Sequence, residues 1–300
     1  MKTGRTFART PKGVQNYNVF YNVELMVYTE GRCLTNTASE DIKAYDTKYY
    51  GSLVKSFTNY KKIKILLVGN KENALDYHKK LIENNIKDCI VFIDKDYDGV
   101  FNSTIPLPKL LTTHGYSWEN DFWTKKLCRD IIYNISMKDI DAVRLYEEKS
   151  LRCINRLDKI SRLNIVGQFF DLCILPNSNS KSKGLGIHGG KKWPVQKGEF
   201  KRAKTDLFLK VQNLITNEQI TFLKSILKSN INPYNFVIQG HLFEYAILLI
   251  IGECYKLANE KKTADQSMMK NIAFSIFDQD VKYYLSADAL VHYIREFKRI

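Results

Sequence analysis

Three short, mainly apolar runs constrain this 300-residue chain more than any other feature. Residues 23 to 29 (Val-Glu-Leu-Met-Val-Tyr-Thr), 63 to 68 (Ile-Lys-Ile-Leu-Leu-Val) and 89 to 93 (Cys-Ile-Val-Phe-Ile) are rich in β-branched and aromatic side chains. All three read as strands, and the last, Ile90-Val91-Phe92-Ile93, is continuous rather than alternating, which is how a strand buried on both faces of a parallel sheet reads. Between them lie stretches with helical spacing, 43 to 58 and 72 to 85, the second carrying Leu75, Leu81 and Ile82. A β-α-β-α-β order implies parallel strands joined by right-handed crossovers. The expected fold class is therefore α/β, with a mainly parallel sheet flanked by helices. All three strand ends then fall on one edge, where open α/β sheets bind ligands.

The residues at those ends are polar and acidic. The first run meets Glu30-Gly31, the second Gly69-Asn70, and the third breaks into Asp94, Asp96 and Asp98 before Gly99. Two unit charges about 4 Å apart repel by about 4 kcal/mol at an effective dielectric near 20, so grouped carboxylates need compensation. Oxygen ligands of this kind select Mg²⁺, Mn²⁺ or Ca²⁺ over zinc, and Mg²⁺ uses one or two carboxylates with waters and phosphate oxygens completing the shell. An equally simple reading of 94 to 99 is a solvated aspartate-rich turn, since Asp98-Gly99 is a good turn pair. Glu30, Glu24 and the Glu40-Asp41 pair all compete for the place of strand-tip carboxylate. Gly31 favours Glu30, because it permits a sharp exit from the strand.

A glutamate on one strand tip with Asp-x-Asp on another resembles the Toprim fold of topoisomerases, primases and OLD-type nucleases. Gly69-Asn-Lys71-Glu-Asn73 is similar to the Gly-x-Lys-x-Asn turn of one Toprim-like branch. Phe92-Ile-Asp-Lys-Asp-Tyr-Asp98 resembles its Asp-Arg-Asp-Phe-Asp element, and Thr113 to Asn120 its Tyr-Ser-x-Glu-Asn segment. That branch includes the nuclease subunit of the PARIS anti-phage system. The chain departs from it by an insertion, Arg32 to Tyr45, ahead of Asp46 and the Tyr49-Tyr50 pair. The resemblance implies a Toprim-like core and a Mg²⁺-dependent (or Mn²⁺-dependent) endonuclease. Glu30, Asp94 and Asp96 would be catalytic, and Asp98 and Glu119 would join those three as metal ligands. Asp46, Lys71 and His241, within a Gly-His element, are weaker site candidates. It further implies a tRNA-cleaving toxin of antiviral defence, restrained by an ABC-type ATPase partner and dimeric when active. A DNA-nicking enzyme on the same fold, and a non-catalytic binding module, are the alternatives.

Charge points the same way. Forty-six basic against 32 acidic residues give a formal +14, which suits a polyanionic partner. Residues 181 to 210 hold nine Lys or Arg against Glu199 and Asp206. Lys181, Lys183, Lys191, Lys192 and Lys197, with Trp193 among them, are the expected nucleic-acid contacts, the aromatic stacking on an exposed base. A lysine-rich solubilising loop is the bland reading of this glycine-rich stretch, about 177–204. The chain is expected to divide into a catalytic domain, 1–130, and a mainly helical domain, 131–300, with helices near 137 to 164, 204 to 228, 239 to 258 and 286 to 298. Six scattered cysteines, with no Cys-x-x-Cys, read as buried apolar side chains rather than zinc ligands or disulfides. No apolar stretch is long enough to cross a membrane, and basic residues near the amino terminus precede no apolar block, so a cytoplasmic protein is expected. The aromatics of 118 to 123 are expected to pack on the sheet, and Glu119 to sit in a helix first turn behind Ser117.

Overall fold

The computed structural model describes residues 17–31, 45–101, 105–172, 174, 197–229, 238–260 and 263–300. They form two compact units: 1–94 with 105–113 and 287–300, and 95–104 with 114–286. The units are thus not consecutive segments cut near residue 130. The chain leaves the first after Asp94, and its last helix belongs to the first unit.

The first unit is built on four parallel strands: β1 (Leu25–Thr29), β2 (Ile63–Leu67), β3 (Cys89–Ile93) and β4 (Leu110–Thr112), in the order β2-β1-β3-β4. Every side chain of β1 and β3 is buried, as a doubly covered parallel strand requires. Helix α1 (Tyr17–Tyr21) precedes β1, α2 (Tyr45–Phe57) joins β1 to β2, and α3 (Lys71–Glu83) joins β2 to β3. Side-chain alternation assigns the two faces. Met26, Tyr28, Val91 and Ile93 pack with Ala74 and Leu81 of α3, whereas Phe92 meets the Tyr50 ring of α2 at 4.8 Å. Since β1 is flanked by β2 and β3, the chain reverses direction across the sheet at β1, and the crevice at such a reversal is where these sheets bind ligands.

Strand β4 was not legible in the sequence, being only three residues between Pro108 and Thr113. It lies at the sheet edge, where unpaired main-chain groups need covering. The last helix of this unit, spanning Ala287–Phe297, supplies the cover with side chains. Glu296 accepts from Thr112 N at 3.1 Å, His292 Nε2 donates to Thr112 O at 2.8 Å, and Arg299 beyond the helix donates to Leu110 O at 3.4 Å. Phe297 stacks on Phe57 at 5.1 Å, and the hydroxyls of Tyr293 and Tyr49 meet at 3.1 Å.

The second unit is helical: α4 (Trp118–Phe122), α5 (Lys125–Ile135), α6 (Ile140–Phe169), α7 (Lys197–Val211), α8 (Asn217–Ser229), α9 (Gly240–Ala258), α10 (Gln266–Phe277) and α11 (Val281–Tyr284); the first unit's last helix is α12. The expected single helix over 204 to 228 is two. A capping box breaks it, with Thr216 N donating to Gln219 Oε1 and Gln219 N to Thr216 Oγ1. Helix α6 packs along α9, and α5 along α10. The aromatics of α4 pack on α10 within this unit, Phe122 stacking on Phe274 at 4.3 Å. No helix among the described residues is long and apolar enough to cross a membrane.

Cys89, Cys128, Cys153 and Cys254 are buried and unpaired by disulfides; Cys33 and Cys173 lie outside the described residues. Burial pushes the Cys89 thiol up to about 11 and the other three to about 12. At pH 8 iodoacetamide therefore leaves these four unmodified in the folded protein and labels them in urea, as read by peptide mass spectrometry. Glu296→Ala strands the Thr112 N–H at the covered edge and costs about 1–3 kcal/mol in urea unfolding, against near neutrality for an exposed control such as Glu83→Ala.

Candidate functional site

At the carboxyl edge of the sheet, the tips of β1 and β2 are tied by a two-way bridge: Gly31 N donates to Gly69 O at 2.9 Å and Gly69 N to Gly31 O at 3.1 Å. Gly31 has φ +146°, and a Cβ there would come within 2.7 Å of Leu67 Cδ2. Only glycine fits, and its tight exit leaves Glu30 at the end of β1. Glu30 Oε1 accepts from Asp94 N at 2.8 Å, so the first residue beyond β3 is bonded to the first beyond β1. Asp94 Oδ1 in turn accepts from the buried Tyr50 hydroxyl of α2 at 3.1 Å. On the other face, Asn70 caps α3 by accepting from Asn73 N, and Lys71, the first residue of that helix, donates from Nζ to Asp94 O at 2.8 Å.

Asp46 completes the group, in the first turn of α2. Its Oδ2 lies 3.3 Å from where a Cβ on Gly31 would stand. Burial, and after it the negative charges of Asp94, Asp46 and Glu30, hold the Tyr50 hydroxyl well above the ordinary tyrosine range. Tyr50 therefore keeps its proton and remains the donor to Asp94. Three acidic residues from three segments thus act on one hydroxyl.

Of the competitors for the strand tip, Glu24 sits at the opposite end of β1. Its Oε2 accepts from Lys61 N and Lys62 N at 2.6 and 3.2 Å, and those two bonds draw its pKa below the usual value. It is a turn-fastening side chain. Glu40 and Asp41 lie outside the described residues, as do Lys181, Lys183, Lys191, Lys192 and Trp193; Lys197 opens α7.

The remaining acidic candidates belong to the second unit. Asp96 has φ +50°, a left-handed conformation that Asp tolerates better than most residues, and its N–H donates to Tyr116 O at 2.8 Å. Asp98 closes a turn through its N–H to Lys95 O, with Gly99 at φ +79°, as the Asp-Gly pair predicts. Glu119 is buried, with Oε1 2.9 Å from His241 Nδ1 and Oε2 accepting from Ser117 Oγ at 2.6 Å. Gly240 permits this contact, for a Cβ on it would stand 1.9 Å from Ser117 Oγ and 2.2 Å from Glu119 Oε2. Glu119 is thus engaged by two side chains of its own unit. Neighbouring Asp121 fastens the preceding loop by accepting from His114 N and Gly115 N.

Glu30, Asp94, Asp46 and Lys71 are therefore brought together in one unit, and Glu119 with His241 in the other. Sequence reasoning missed the bond from Tyr50 to Asp94, although the pattern of an aspartate followed by an aromatic pair carried its trace at Asp46 and Tyr49-Tyr50. No family model and no curated protein matches this chain. Among the described residues no group of three or more His, Cys, Asp or Glu side chains is arranged to hold a metal ion. Mg²⁺, however, is held by as few as one or two carboxylates beside waters and substrate phosphates. Glu30 and Asp94 supply that number, of the oxygen chemistry this ion selects.

Gly240→Ala drives a methyl into Ser117 and Glu119 and is expected to destabilise the fold by about 1–3 kcal/mol. Gly198→Ala in α7, where nothing stands within 4 Å of the new Cβ, is expected to be neutral or stabilising by up to about 1 kcal/mol. Thermal denaturation of the pair checks both signs.

Proposed function

We propose that the chain is a metal-dependent nuclease that hydrolyses phosphodiester bonds in nucleic acid, with Glu30 and Asp94 at its centre. The observation that carries this reading is the bond from Asp94 N to the Glu30 carboxylate at the carboxyl edge of a parallel sheet. Crowding acidic groups there is unfavourable without a cation, and the reversal point of such a sheet is the common ligand site. Bound Mg²⁺ or Mn²⁺ would neutralise charge on the phosphate and lower the pKa of its water. Asp94 would be its first ligand. Glu30 would be a ligand or take the proton of the attacking water. Tyr50 holds the Asp94 carboxylate in one orientation. Glu119, engaged by His241 and Ser117, is a weaker candidate ligand than the sequence suggested.

The net charge of +14 supports a polyanionic substrate, with lysines of the basic segment gripping the backbone. The Toprim-like resemblance narrows the proposal to tRNA as substrate and to a toxin effector of anti-phage defence in the cytoplasm. On the same ground, an ABC-type ATPase partner restrains it and release allows a homodimer. The lack of a three-ligand group among the described residues favours one other reading, a binding module that docks nucleic acid without cutting it.

Incubating the purified chain with tRNA, single-stranded DNA and duplex DNA, each with Mg²⁺ or Mn²⁺, separates these readings. Metal-dependent cleavage of tRNA is expected, abolished by EDTA and lowered at least about a hundredfold by Glu30→Ala, close to 2.7 kcal/mol of barrier. Cleavage that survives in Glu30→Ala sinks the assignment. Nicking of DNA alone moves it to the DNA-directed alternative, and binding without cutting leaves the module.

A further inference from the structure

A lysine at the first position of a helix works against the positive end of the helix dipole, so Lys71 at the start of α3 needs a compensating environment. It has one. Its Nζ is fixed on the Asp94 carbonyl at 2.8 Å, at the sheet edge where Glu30, Asp46 and Asp94 all act on Tyr50. The bond is to the main-chain oxygen of the first residue beyond β3 and places the ammonium at the strand tip. Three carboxylates repel a phosphodiester. One ammonium and one divalent ion together cancel their charge, which lets an anionic strand approach.

We propose that Lys71 is a substrate-binding residue whose ammonium contacts a phosphate oxygen of the bound strand. This inference rests on the nuclease reading above. Lysine suits the role as a compact point charge whose ammonium carries three donors and can serve more than one acceptor at once. A fixed cation beside a metal site also makes an opposing pair of demands. It attracts the phosphate and repels the metal, so its removal moves the two affinities in opposite directions, which loss of a purely structural contact does not do.

The test measures Mn²⁺ binding to the full chain by the electron paramagnetic resonance of free ion, with no nucleic acid present. Binding of a fluorescent single-stranded RNA is followed separately by anisotropy in Ca²⁺. Lys71→Met is expected to bind Mn²⁺ several-fold more tightly and the RNA about tenfold more weakly, with Lys71→Arg close to wild type in both. A Lys71→Met protein that matches wild type in both assays, or weakens in both, overturns the inference, as does an Arg variant that behaves like Met. If wild type and Glu30→Gln bind Mn²⁺ equally, or neither binds it, the nuclease reading itself fails. A Lys71 failure with Glu30-dependent Mn²⁺ binding intact touches this inference alone.

Discussion

The bond from the Asp94 amide to the Glu30 carboxylate ties two strand ends that are 64 residues apart in the chain. It exists because β1 and β3 are neighbours in register, Thr29 opposite Phe92, so that the residue after one strand stands beside the residue after the other. Gly31 then turns away into its bridge with Gly69 and keeps the Glu30 backbone close to β3. The carboxylate is thereby used twice, as acceptor for a main-chain amide and as a charge at the sheet edge. A charge-assisted bond of this kind is stronger than a neutral one and leaves the glutamate little rotamer freedom. Preorganisation of the acidic edge is therefore a property of the sheet itself.

The same sheet is completed by a helix from the far end of the sequence. Glu296, His292 and Arg299 answer the outward main-chain groups of β4 as a fifth strand would, while Phe297 and Tyr293 anchor the helix to α2. This matters at the candidate site because α2 also carries Tyr50 and Asp46. Holding α2 from behind with aromatic packing fixes the hydroxyl that meets Asp94.

What the sequence revealed follows from the range of each interaction. β1 and β3 were legible because burial on both faces imposes an apolar run, β2 because β-branched and leucine residues crowd between a turn and Gly69, and α3 because Leu75, Leu81 and Ile82 recur near helical spacing, although of these Leu81 alone is buried. Glu30 and Asp94 were legible as polar residues that interrupt such runs at the edge where parallel strands all end. β4 was not, because three residues flanked by Pro108 carry no periodicity, and its pairing depends on side chains nearly two hundred residues later. The break at Thr216 was visible in principle as Thr-x-x-Gln but was overridden by the apolar spacing on either side. The pairing of Glu119 with His241 joins residues more than a hundred positions apart, and no local pattern encodes it.

The Tyr50 hydroxyl shows how burial and charge cooperate at this edge. Burial disfavours a phenolate, and the three carboxylates around it disfavour one further, so both causes act in the same direction. The proton is then retained across the neutral range, and the bond to Asp94 is made by a neutral donor that neither adds to nor cancels the local negative charge. A lysine or arginine at position 50 would form a stronger bond to Asp94 but would also neutralise it, weakening any pull on a divalent ion. A phenylalanine would leave the charge and lose the orientation. Tyrosine alone among these orients the carboxylate and preserves its charge, which is what the proposed metal-binding role of Asp94 would require.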